Sequence, residues 1–85
     1  METIECAAIR HKGVVYHAIR PGRHHHVFQT MHALGLHGES MREQGFLTSS
    51  GRFVDRREGL AIASAAGQIK DKTFPHDILF SEDMW

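Results

Sequence analysis

Residues 45–68 read GFLTSSGRFVDRREGLAIASAAGQ, and this stretch decides the fold. The turn Ser49-Ser50-Gly51 separates two short apolar runs, Phe46-Leu47-Thr48 and Arg52-Phe53-Val54. That is a hairpin signal, with a glycine placed to take a positive φ. Asp55 stands where a helix N-cap belongs, and Glu58 three residues later completes the pattern of a capping box. The helix expected from it, RREGLAIASAA over about 56–66, carries Leu60, Ile62 and Ala63 and stops at Gly67. Arg52, Arg56 and Arg57 therefore leave the chain near a strand end and a helix start. Free backbone N–H groups and the positive end of the helix dipole make such junctions favourable for anions.

Upstream, residues 3–10 (TIECAAIR) and 14–20 (VVYHAIR) read as two strands joined by a tight turn at His11-Lys12-Gly13. Alternation is weak: Ile4, Cys6 and Ala8 share one face, but Ala7 and Ile9 are apolar on the other. A sheet apolar on both faces needs two covers. A helix layer supplies one, and a second copy of the chain in a C2-type contact is expected to supply the other. Arg20-Pro21-Gly22 breaks the second strand. Residues 23–34 then place Val27, Phe28, Met31 and Leu34 on one helical stripe, with Gly35 as the stop. Residues 36–44 form a connection. From Ile69 to Trp85 an extended arm with a breaker at Pro75 is expected. Its Ile78, Leu79, Phe80, Met84 and Trp85 are too apolar to stay in water, so they dock on this chain or a neighbour. The expected fold class is a single α+β domain over residues 1–85. It is a small antiparallel β-sheet of two hairpins packed with two α-helices, in a homo-oligomer.

A chain of 85 residues buries only roughly 60–65% of its unfolded surface. Cys6 is the single cysteine, so no internal disulfide supports the core, and self-association is expected to contribute stability. No apolar run is long enough to span a bilayer. Acidic residues precede the first base at the N-terminus, unlike a secretory leader, so a cytoplasmic location is expected. Ten basic and ten acidic residues give a formal charge of zero, which argues against coating a long nucleic acid. Seven of the ten bases are arginine, and the planar guanidinium suits phosphate and stacks on bases. Pairing of these arginines with the acids on a solvated surface is the plain alternative.

Eight histidines include the run His24-His25-His26. Consecutive residues on a helix diverge by about 100°, so the run does not converge on a metal, and no HExxH motif or cysteine pair accompanies it. Neither a metal nor a cofactor is expected. Surface histidines at a helix start, or imidazoles contacting phosphate or a base, are the other two readings. The segment Arg20-Pro21-Gly22-Arg23-His24-His25 repeats the chemistry of the Arg52–Arg57 junction, and two such sites suggest a cleft lined from two sides. Phe46 and Phe53 each offer a core residue or a base-stacking platform. No GxSxG elbow is present, and Glu82 and Asp83 read as solvated, so no catalytic residue is assigned. A hydrolase using His24 or His25 as base is the enzymatic alternative.

With GFLTSSGRFVDRREGLAIASAAGQ, the ending LFSEDMW and the opening IECAAIRHKGVVYHAIRPGRHHHVF, the chain resembles the phage anti-Thoeris family that sequesters cyclic ADP-ribose signals. The resemblance covers most of the chain. It implies a small α/β protein, a homodimer or trimer of dimers, that holds a cyclic nucleotide between protomers without cleaving it. It further implies that cyclic oligonucleotides are sometimes held at separate sites. The matching ligand-binding positions are Arg23 and His24, Phe46 as a platform for adenine, and Arg52, Asp55 and Arg56 as phosphate and ribose contacts. Asp55 stands where such sequences carry Asn, which keeps an acceptor for a ribose hydroxyl but adds negative charge near phosphate. A small phosphodiesterase and a protein–protein inhibitor of a host effector are the competing functions.

Overall fold

The turn at Ser49–Gly51 closes a hairpin in the computed structural model, which describes residues 1–36, 42–72 and 76–85. Gly51 takes φ +82°, a left-handed conformation that costs glycine nothing. Thr48 N–H donates to the Arg52 carbonyl at 2.9 Å. The strands are β3 (Arg42–Thr48) and β4 (Phe53–Asp55), so the first of them starts earlier than the apolar run alone suggests. Register pairs Phe46 with Val54 and Leu47 with Phe53. Alternation along each strand then sends the two phenylalanines to opposite faces.

The N-terminal hairpin is formed by β1 (Ile4–His11) and β2 (Val14–Ala18). Lys12 and Gly13 turn between them with φ of +51° and +78°, as a two-residue turn of this hand requires. The four strands make one antiparallel sheet in the order β2-β1-β3-β4. The weak alternation in β1 has a structural cause: the register shifts between Ile4 and Cys6, so that Ile4 shares a face with Ala7 and Ile9 and not with Cys6.

Both helices cover that face. α1 (His24–Ala33) packs Val27 and Met31 on Ile9. α2 (Arg56–Ala65) packs Ala63 beside Ile4, Phe46 and Val54. Gly59 is buried in α2 because a Cβ there would stand 3.1 Å from Cδ2 of Phe46 and 3.4 Å from Cδ2 of Leu79. The opposite face is covered in part by the chain itself. The Arg10 guanidinium lies 4.7 Å over the Phe53 ring and pairs with Glu43 at 2.6 Å. Beneath this layer Cys6 and Ala8 are buried.

The tail is docked on its own chain and is not an extended arm. Leu79 and Met84 enter the core formed by Ile4, Phe46, Val54 and Ala63, and Ser81–Asp83 form one 3-10 turn. Asp83, expected in solvent, is fully buried. Its Oδ2 accepts from the Phe80 N–H at 2.8 Å and lies 3.1 Å from Lys72 Nζ. Most of the expected 36–44 connection, and Pro75, lie outside the described residues. No helix among the described residues is long and apolar enough to cross a membrane.

Candidate functional site at two helix starts

Two helix N-termini meet across β3. Arg23 is the N-cap of α1, with extended backbone, and its N–H donates to His26 Nδ1 at 2.8 Å. His24, the first residue of α1, turns inward and brings Nε2 to 2.7 Å from the Gly45 carbonyl. A carbonyl only accepts, so Nε2 carries the proton. Burial pushes the His24 imidazole below its ordinary pKa. The Gly45 bond opposes that shift, and the Arg56 charge adds to it. The ring therefore stays neutral near pH 7.

On the other side Arg56, the first residue of α2, is half-buried. Its Nη1 donates to the Leu79 carbonyl at 2.7 Å and its Nη2 to Gln44 Oε1 at 2.7 Å. The guanidinium carbon lies 4.9 Å over the Phe80 ring. Burial pushes Arg56 below its usual pKa, while Glu82 and Asp83 pull it back up. Among the described residues its hydrogen bonds go to neutral acceptors, so the charge is positioned without being neutralised on contact.

Arg23 closes the group. Its Nη1 reaches Glu82 Oε1 at 3.1 Å and Ser81 Oγ at 3.5 Å, and its Nη2 donates to the Trp85 carbonyl. Arg23, His24 and Arg56 thus gather around the Phe80–Glu82 segment of the tail, with Gln44 and Gly45 of β3 between the helix starts. Clefts of about 410 Å³ (Leu60, Ile69, His76 among the lining), 350 Å³ (Cys6, His17, Ile19) and 280 Å³ (Arg20, Lys70, Trp85) lie elsewhere. None of these three includes Arg23, His24 or Arg56, of which His24 is buried and the two arginines partly exposed.

The other expected site residues stand apart. Arg52 is held by Glu2 at 2.8 Å and by Glu58 at 3.1 Å, in a cluster with Thr48 and Ser50 at the hairpin turn. The Arg52 bond, with help from Ser50 and Thr48, holds the Glu2 carboxyl down at about 2. Asp55 is the N-cap of α2, and its Oδ1 accepts from Arg57 N–H at 3.0 Å and Glu58 N–H at 2.8 Å. Glu58 does not return the capping-box bond, because its carboxylate is taken by Arg52. Phe46 is fully buried, with its ring in edge contact with His24 at 5.1 Å and with Gly59 against it. It backs the site and offers no free face to a base on this chain. The histidine run diverges as helical geometry demands: His24 is buried, whereas His25 and His26 are exposed.

A model of the phage T4 y16D protein family matches residues 3–85. The chain belongs to the phage T4 y16D protein family. No curated protein and no solved structure matches it. Membership places the chain among phage proteins. In this y16D-family chain, sequence reading missed Gln44, Phe80, Ser81, Glu82 and Trp85 as partners of the arginines. The one available signal was the acidic pair Glu82-Asp83 set between apolar residues in LFSEDMW, a pattern that binds a tail down at alternate positions.

Proposed function

We propose that this y16D-family protein binds a cyclic nucleotide second messenger, a cyclic ADP-ribose isomer, and sequesters it in the host cytoplasm without cleaving it. Phage proteins that neutralise a host signal by mass action need a tight site and no chemistry. The observation that carries the reading is the convergence of two helix starts on one half-buried guanidinium. Arg56 sits at the N-terminus of α2 with, among the described residues, only neutral acceptors on its N–H groups, and it shares the Leu79–Glu82 stretch of the tail with Arg23, the N-cap of α1. Anions are favoured there by both dipoles and by the arginine forks.

His24 contributes as a fixed wall of the site, its Nε2 proton given to the Gly45 carbonyl and its ring edge-on to Phe46. The resemblance to sponge proteins implies a second protomer that closes the ligand in. Such a dimer, or a trimer of dimers, belongs to the proposal. Phe46 contributes as the buried wall behind His24, and Arg52 and Asp55 as the supports of the hairpin and of α2.

Incubation of the protein with cyclic ADP-ribose, followed by heat denaturation and chromatography of the supernatant, tests the reading. Full recovery of intact ligand that had been retained by the folded protein is expected. A cleaved product would make the protein an enzyme, and cleavage at the pyrophosphate would make it a phosphodiesterase. Retention of no nucleotide, with co-purification of a host protein, would make it a protein–protein inhibitor.

A further inference from the structure

The ion pair at the site is one the protein makes with itself, between Arg23 and Glu82. We infer that Glu82 is a resident counter-ion of the Arg23 fork, and that a phosphate-bearing ligand enters by exchanging with its carboxylate. This inference rests on the proposed anion site.

The geometry separates what is fixed from what can move. Ser81 and Asp83, on either side of Glu82, are fully buried, and Leu79 and Met84 are in the core. Asp83 holds the Phe80 N–H and the Lys72 ammonium. The backbone is therefore pinned on both sides of Glu82. Its side chain is 55% exposed and that of Arg23 30% exposed, so the carboxylate can swing into water with no rearrangement of the tail. What it leaves behind is a ready acceptor site. Arg23 Nη1 loses Glu82 Oε1 at 3.1 Å, and the Ser81 hydroxyl, which donates to that same oxygen at 2.8 Å, is released with it. The fork stays anchored through Nη2 on the Trp85 carbonyl.

A phosphate reproduces the lost contacts and adds to them. It presents several acceptor oxygens and more charge than a carboxylate, and it lies within the field of both helix starts. A simple monocarboxylate or halide gains nothing over the resident group. The device thus selects phosphates and diphosphates from the many small anions of a cell. It also keeps the fork oriented and paired when no ligand is bound.

Glu82→Gln removes the competitor and keeps its shape. Titration calorimetry on the full chain, with inorganic pyrophosphate and with cyclic ADP-ribose as separate probes, should show both bound more tightly by roughly two- to fivefold. That is the effect of deleting a partly exposed ion pair. In an Arg23→Gln background the same change should have no effect, because the exchange acts through that fork. Equal or weaker binding by Glu82→Gln overturns the inference and leaves the nucleotide site standing. Equal tightening without Arg23 also overturns it, by showing a diffuse charge effect. If Glu82→Gln takes up pyrophosphate but neither protein takes up the cyclic nucleotide, the exchange holds and the proposed ligand is wrong. Binding of neither probe by either protein ends both.

Discussion

Arg56→Met tests whether the site and the fold share one residue. The substitution keeps most of the aliphatic stem and removes the guanidinium. Three contacts go with it: the bond to the Leu79 carbonyl, the bond to Gln44, and the stacking over Phe80. Leu79 N–H still donates to the Arg56 carbonyl at 2.9 Å, so the tail keeps one of two reciprocal links at this point. Two charge-assisted bonds at a half-buried group contribute about 2–3 kcal/mol together, and the cation–π contact about 0.5–1 kcal/mol. Against this, a positive charge at a helix N-terminus is unfavourable by about 0.3–1 kcal/mol, and its removal relieves α2. The contacts win, and a net loss of about 2 kcal/mol is expected, a fall in Tm of roughly 8–16 °C for a domain of this size. Trp85 is the only tryptophan, and its indole N–H donates to the Gly22 carbonyl at 3.1 Å. Its fluorescence therefore reports tail docking directly. Thermal melts followed at once by Trp85 emission and by far-UV circular dichroism should shift together. A Tm lowered by less than about 2 °C would show that Arg56 does not hold the tail, and the reasoning above would fail.

Asp55→Ala removes the two cap bonds to Arg57 and Glu58 N–H and should cost about 1 kcal/mol in urea unfolding; no change in the midpoint would mean that water caps α2 equally well. Gly45→Ala puts a Cβ 2.0 Å from the Val54 carbonyl oxygen and 2.8 Å from the Phe53 ring, so β3 and β4 must separate. A variant with native dispersion of amide signals would contradict this packing. Glu2 is held at about 2 when folded, against 4.5 for the free group. A depressed carboxyl stabilises above the unfolded value and loses that contribution as pH falls through the folded one. Acid melts of the native protein should therefore steepen between about pH 4.5 and 2 relative to Glu2→Gln, and superimposable pH profiles would remove the Glu2–Arg52 link from the stability account.

The parts of the fold written in local chemistry were legible. Gly51 and the Asp55 cap set the second hairpin and the start of α2, and Lys12-Gly13 set the first. The β1 register was not readable, because one displaced residue near Glu5 moves Ile4 to the face of Ala7 and Ile9, while Cys6 and Ala8 are buried on the other face. Which phenylalanine was core turned on register across Ser49–Gly51, where a shift of one residue exchanges Phe46 with Phe53. The arginine bias is legible in the sequence, but the partners of the arginines are not. Arg23 and Arg56 meet through a tail 58 and 23 residues away in sequence, and no local pattern encodes that closure. Arg52 and Arg56 leave the chain at the same strand-to-helix junction, yet the hairpin sends Arg52 to Glu2.

Where an anionic nucleotide settles on the protein is directly measurable. Backbone amide shifts of the full chain during titration with cyclic ADP-ribose locate it residue by residue. Saturable movement concentrated at His24–His26 and Arg56–Glu58, the first turns of the two helices, is the expected result. Amides unmoved there, or shifted only around the Leu60–Ile69 cleft, would contradict the account.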